Sequence, residues 1–224
     1  AKVEQTHAPG FATLRPHRIA IGLYSEREGL LERTDRLEVD LSGELTEVPE
    51  LVGREQSDLL LVNDDDLTYA KIRLDERSLA TARSHPRGFT SSLPRALVLA
   101  SAWDMTRDAE MGARSFIDLA LATLPGESDS TLLRTLIAQV QTAVLAYTAP
   151  EHRDRVRESC RDRLWALARS AEPASDAQLQ LVTAAAALTT RGDDPASLRA
   201  LLEGSDTLEG LAVDFEMRWT LLTA

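Results

Sequence analysis

The chain has one cysteine, Cys160, almost no lysine (Lys2 and Lys71), and aromatic residues at only 4% of its 224 positions. A single cysteine excludes an intrachain disulfide and makes a reducing compartment the simpler expectation. With so few aromatics, the core must rest on Leu, Ala and Val. No apolar run approaches the ~20 residues that a membrane-spanning helix needs. The richest stretch, Leu181 to Leu188, is short and mostly Ala, and no signal peptide is visible. Positive charge is outnumbered, with 25 Lys and Arg against 36 Asp and Glu, so the formal net charge is -11 and the pI about 4.9. Such a chain gains nothing from the counterion release that drives nucleic-acid binding, and an anionic membrane surface repels it. The expectation is a cytoplasmic protein with no nucleic-acid and no membrane partner.

Chemical motifs are missing as well. The histidines, His7, His17, His85 and His152, lie far apart, and there is no HExxH, CxxC or His-x-His. No zinc site is readable in that pattern. Phosphate loops and a GxSxG elbow are absent. Asn63-Asp64-Asp65-Asp66 invites a calcium reading, but Tyr69 and Asp75 or close neighbours stand where an EF-hand loop needs Gly and Glu. It reads instead as an acidic turn whose Asn and Asp tolerate unusual backbone angles. Cys160 falls on the helical stripe Val156, Cys160, Leu164, Leu167 with no histidine at a useful spacing, which makes it a small buried hydrophobe rather than a nucleophile.

What is present is a change of period. From Val3 to about Asp75 the pattern favours strands. Ile19, Ile21 and Leu23 alternate with Arg18, Ala20, Gly22 and Tyr24, and Leu37, Val39 and Leu41 alternate with Arg36, Glu38 and Asp40. Ser42-Gly43 is placed where a tight hairpin would turn. Leu59 to Val62 is a continuous apolar run, as expected of a strand buried on both faces. After the acidic turn, Thr68, Ala70, Ile72 and Leu74 alternate with Leu67, Tyr69, Lys71 and Arg73, which predicts one more strand.

From Ser78 onward the signals are helical. Ser92-Leu93-Pro94 opens a helix through Trp103. Phe116, Leu119 and Ala120 face a second, stopped by Pro125-Gly126. Leu133, Leu136, Ile137, Val140, Val144 and Tyr147 form a stripe after an Asp129-Ser130 cap. Further helices carry Val156 to Leu167, then Leu179 and Val182 from near Asp176. A short one follows Asp194-Pro195 and ends at Gly204, and a last one starts near Asp214, where Arg218 would pair with Asp214 and Trp219 would pack. Connections of roughly 4 to 10 residues predict antiparallel neighbours. The predicted fold class is a small β-sandwich over 1–75 followed by an α-helical superhelix, an irregular HEAT-like solenoid, over 76–224. The start at Ala1 without Met, and an end inside a helix without a stop signal, predict a piece of a longer protein.

The densest polar cluster on a helix is Trp103-Asp104-Met105-Thr106-Arg107-Asp108-Ala109-Glu110. Arg107 could clamp a carboxylate, or it could close the helix end by pairing with Asp104 and Asp108 while Trp103 packs below. The residues alone point to no active site within the chain.

Several stretches resemble a known family: Leu14-Arg15-Pro16-His17-Arg18-Ile19-Ala20-Ile21-Gly22-Leu23-Tyr24, Val48-Pro49-Glu50-Leu51, Leu59 to Ser78, and Trp103 to Glu110. They are similar to the C-terminal part, β-sandwich plus helical domain, of the actinobacterial aminopeptidase N family of gluzincin-type zinc aminopeptidases. The resemblance spans essentially the whole chain and is strongest from Leu14 to Glu110. It implies that catalysis resides in a thermolysin-like domain upstream of Ala1, carrying HExxH, a Glu ligand, GxMEN and a transition-state Tyr, none of which can be placed here. It implies zinc in that missing domain and no cofactor in this chain, which alone should be inactive. It further implies that 76–224 is the first part of a superhelix lacking its final helices. In that family the superhelix closes over the active site and restricts access to peptides with free N-termini, which the resemblance implies here too. The implied partners are the catalytic domain of the same polypeptide and peptide substrates, together with self-association of the piece. Arg107 and Arg114 are the candidates for chamber or interdomain contacts. The other reading left open is a helical scaffold that recognises a partner and has no enzymatic role.

Overall fold

A computed structural model describes residues 1–7, 9–127, 129–190 and 196–223. The described residues form five strands and then eight helices, divided into two compact units, Ala1–Met105 and Thr106–Ala224.

In the first unit, β1 (Lys2–Glu4) pairs antiparallel with β4 (Leu45–Glu47), and β2 (His17–Arg27) lies between β3 (Leu30–Leu41) and β5 (Leu59–Asp64), antiparallel to both. The alternation read in β2 holds, but both faces of this central strand are covered. Ile19, Ile21 and Leu23 pack with Leu41 and Val48, and with Val3 of the small sheet. On the other face Tyr24 packs with Leu31, Leu59 and Leu61 and with Ala82, Phe89, Leu97 and Val98. Those last residues belong to α1 (Glu76–Ser84), α2 (Ser92–Arg107) and the loop joining them. The Phe89 ring meets Tyr24 edge-on at 5.2 Å. Asp75 caps α1 by accepting from Ser78 N at 2.8 Å. The Ser78 hydroxyl in turn accepts from Leu60 N at 2.8 Å, which ties the first helix to β5.

Two expectations are corrected here. The tight hairpin lies at Glu28-Gly29 rather than Ser42-Gly43. Both its central residues have positive φ, 52° and 85°, as a type I′ turn requires, whereas at Ser42-Gly43 the chain leaves one sheet for the other. And no strand forms over 67–74: the segment pairs with none of β1 to β5, and only Ile72 and Leu74 of its apolar set are buried. A strand needs a ladder partner, and this stretch is fixed by side chains instead. Asn63 Oδ1 accepts from Thr68 N at 3.1 Å, and Asn63 Nδ2 donates to Thr68 O at 2.8 Å. The acidic turn behaves as its composition predicts, with Asn63, Asp65 and Asp66 at φ 59°, 66° and 55°.

In the second unit, α3 (Ala113–Thr123), α4 (Ser130–Thr142), α5 (Pro150–Ser170), α6 (Asp176–Ala187), α7 (Ala196–Glu203) and α8 (Phe215–Leu222) follow in turn. α3 touches α4, α5 touches α6 and α7 touches α8, and alternate helices stack as well: α3 on α5, α4 on α6, α6 on α8. That pattern is how a layered helical solenoid buries its core. Caps form where they were read. Asp129 accepts from Thr131 N and Leu132 N, and Asp214 from Met217 N. The helix start read at Asp194-Pro195 lies outside the described residues. Arg157 is buried yet donates from Nη1 to Leu188 O at 2.6 Å, so an α5 cation satisfies a carbonyl just past the end of α6. Of the apolar stripes, Leu133, Leu136, Ile137, Val140 and Val144 are buried, but Tyr147 and Leu179 are not. Tyr147 ends a π-helical turn, Ala143–Tyr147, which rotates it off the stripe. No described helix is long and apolar enough to cross a membrane.

Candidate functional site

The most developed polar arrangement is built on the larger sheet. The Asp64 carboxylate, at the end of β5, is 1% exposed. It accepts from the Tyr24 hydroxyl at 3.1 Å and from Arg33 Nη1 at 3.0 Å. Two irregularities aim these groups. The β2–β5 register shifts between Ala20 and Ile21, where Asn63 is the extra residue, and the β2–β3 register shifts between Leu23 and Tyr24, where Thr34 is. Each bulge turns the next side chain toward the same face.

From this buried pair an alternating row of charge runs outward. Arg33 Nη1 also reaches Asp65 at 2.9 Å, and Arg36 meets Asp65 at 2.5 Å and Glu38 at 3.0 Å. Arg18 then meets Glu38 at 2.8 Å and Asp40 at 3.1 Å. Hydrogen bonds from Arg36 and then Arg33 hold the Asp65 carboxyl below its ordinary range, and Arg18 and then Arg36 do the same for Glu38. Burial, and then the charge of Asp64, push the Tyr24 phenol well above its usual value, so it stays a donor. The Tyr24 hydroxyl and the Asp64 carboxylate are already committed to each other and to Arg33 within the sheet. The row is a lock across three strands.

Sequence reasoning missed this cluster, because Tyr24 and Asp64 lie 40 residues apart. One signal for it was present. An isolated glycine, Gly22, inside a strand pattern marks a place where another group approaches the backbone closely.

The candidates named from sequence lie elsewhere. Arg107 is the last residue of α2 and Arg114 the second of α3, both exposed, on either side of the connection between those helices. Cys160 is buried as expected, and burial pushes its thiol up to about 11. At α8 the structure departs from expectation. Arg218 makes no ion pair with Asp214 among the described residues; it lines a cavity of about 260 Å³ with Leu201, Leu208, Leu211 and Val213. Trp219 is exposed, its ring edge-on to a still more exposed Phe215 at 6.1 Å. The helix therefore turns both rings outward and packs through Met217 and Leu221. Among the described residues no three His, Cys, Asp or Glu side chains converge to hold a metal ion. His17 sits against Thr68 Oγ1 at 2.7 Å instead.

The chain is 49% identical over 216 residues to a protein called Aminopeptidase N from Streptomyces lividans. The match takes in 96% of this chain but about a quarter, 25%, of that relative's length. Residues 59–224, from the first residue of β5 onward, match the family described as the ERAP1-like C-terminal domain. The stacked helices and the extent of that match agree: this chain belongs to the ERAP1-like C-terminal domain family.

Proposed function

We propose that this chain is the non-catalytic C-terminal region of a zinc-dependent metalloaminopeptidase that removes N-terminal residues from peptides. In this reading the residues before α1, 1–75, form the β part and 76–224 the helical part. The helical part closes the active-site chamber and restricts which substrates enter. The observation that carries the reading is the 49% identity, across 96% of the chain, to a quarter of a protein called Aminopeptidase N. In this reading zinc sits in the part of the enzyme outside this chain, where it would supply Lewis acidity and activate a water.

What these residues contribute is position and field. A net charge of -11 favours the approach of peptides whose N-termini are cationic, an effect that weakens with ionic strength. Arg107 and Arg114 are the proposed contacts with substrate or with the catalytic domain. With no described helix able to span a membrane, a cytoplasmic location is part of the same reading.

The test is to compare the whole polypeptide that contains this chain with the 224-residue chain alone. The whole polypeptide is expected to bind zinc and release N-terminal residues. The chain alone is expected to do neither. Stoichiometric zinc on the chain, or turnover by it, overturns the reading. A whole polypeptide with no peptidase activity would favour a helical interaction module instead. Closure of the chamber is tested by Arg107→Ala and Arg114→Ala in the whole enzyme. Both should change kcat/KM for peptides while leaving a single-residue amide substrate unaffected.

A further inference from the structure

Tyr69 is the most exposed large hydrophobic residue among the described residues, with no part of its ring covered, and nearby Leu67 is half bare. An uncovered aromatic is ordinary on a mobile loop, but this one is fixed on both sides. Thr68, between the two, is held through its backbone N and O by Asn63 and through its hydroxyl by His17 Nδ1. Three residues further on, Ile72 is buried, and its carbonyl accepts from Ser101 Oγ at 3.0 Å. The turn that leads in carries three non-glycine residues in the left-handed region, Asn63, Asp65 and Asp66. Asn and Asp adopt that region more readily than other side chains, and side-chain bonds fix the turn in this shape. The ion pair of the buried Asp64 carboxylate with Arg33, and the pairs of Asp65 with Arg33 and Arg36, supply those bonds. The turn thus holds Leu67 and Tyr69 in one place, facing solvent.

A rigid, pre-positioned tyrosine has little entropy left to lose on docking, and this is the character of the aromatic anchors that dominate protein interfaces. All the described residues are already accounted for in its exposure, so whatever covers it lies outside them. The matched relative is about four times as long as this chain. We infer that Tyr69, flanked by Leu67, is an anchor that docks into the rest of the aminopeptidase polypeptide, in a pocket with apolar walls and a hydrogen-bond partner for the phenol. The inference rests on the functional reading above for the identity of that partner.

The experiment is nitration of the whole folded polypeptide with tetranitromethane, with mass spectrometry reading the rate at Tyr69 against its rate in the same polypeptide unfolded in urea. Docking predicts a rate in the folded protein slower by at least about tenfold, as for a ring taken out of solvent. A folded rate equal to the unfolded rate overturns the proposal. So does protection that disappears on dilution, which would mean that a second copy covers the ring. Hydrolysis of an aminoacyl amide by the same sample reports separately on the functional reading. An active zinc enzyme with a freely nitrated Tyr69 keeps the function and loses the anchor. An inactive polypeptide with a protected Tyr69 keeps the anchor and loses the function.

Discussion

The Asp64 carboxylate lies over the backbone of Gly22: a Cβ on Gly22 would stand 2.1 Å from Asp64 Oδ2 and 2.8 Å from a Tyr24 ring carbon. Gly22→Ala should therefore push Asp64 away from Tyr24 and Arg33, at a cost of about 2–4 kcal/mol from overpacking and a broken buried pair. Urea unfolding reads this directly. In an Asp64→Ala background the same substitution should cost less, because the nearest group it collides with is gone and only the Tyr24 ring carbon at 2.8 Å remains. Equal costs in the two backgrounds would mean that the collision is relieved elsewhere.

Acid should loosen the first unit. The Asp65 and Asp58 carboxyls are held below their ordinary range, Asp65 by Arg36 and then Arg33, and Asp58 by the Glu26 N–H and then Arg77. Each binds its proton less readily folded than unfolded. Their contribution is complete above the unfolded-state value of about 3.9 and is lost as pH falls through the lower folded-state values. Thermal unfolding followed from pH 7 to pH 2 should show the loss below about pH 4. Asp65→Asn should flatten that part of the curve.

The Cys160 thiol, pushed up to about 11 by burial, should be inert in the folded chain. At neutral pH only about one thiol in ten thousand would be ionised, so iodoacetamide should react slowly until urea exposes the residue. Because the folded-state value is the higher one, stability tied to this group is complete below about pH 8.5 and declines as pH rises toward the folded value. Rapid alkylation of the native chain at pH 7 would contradict this account.

Phe215, Trp219 and Leu222 stand at i, i+4 and i+7 on α8, and all three are exposed. One apolar stripe on a helix suits a second copy of the same stripe. The isolated 224-residue chain is expected to dimerise at high concentration, and Trp219→Ser should return it to monomer. Light scattering that shows monomer throughout would remove α8 as a self-association surface.

Asn63 should separate backbone strain from clamping. Asn63→Gly keeps a residue at ease with φ 59° but loses both bonds to Thr68, whereas Asn63→Ala loses the bonds and also strains the backbone. Hydrogen exchange at the Thr68 amide should quicken in both variants, with global stability about 1 kcal/mol lower for Ala than for Gly.

Much of the architecture was legible because it depends on local rules. Asp129 and Asp214 cap the helices they were expected to cap, and β2 and β3 follow their period-two alternation. The errors arise where a distant partner decides. Residues 67–74 alternate like a strand, yet nothing in the five strands pairs with them. Leu179 and Trp219 fit helical stripes, yet their neighbours cover Val182 and Met217 instead. The Asp64 lock depends on two bulges, and a one-residue insertion in a ladder has no signature in a hydrophobic pattern. The absence of catalytic motifs was plain from the sequence, while the exposure of Tyr69 could be known only once the acidic turn had a shape.

Asp64 and Arg33 sit on the two outer strands of a three-stranded sheet, and those strands share no ladder with each other. Their bond passes across the middle strand at its one side-chain-free position. Ladder hydrogen bonds align each outer strand with the centre separately, and either alignment could slip without disturbing the other. A bond between the outer strands removes that independence: a slip in one must break a contact belonging to both. The sheet is therefore expected to open as a single unit, with no partly frayed state in which one flank is lost and the other kept.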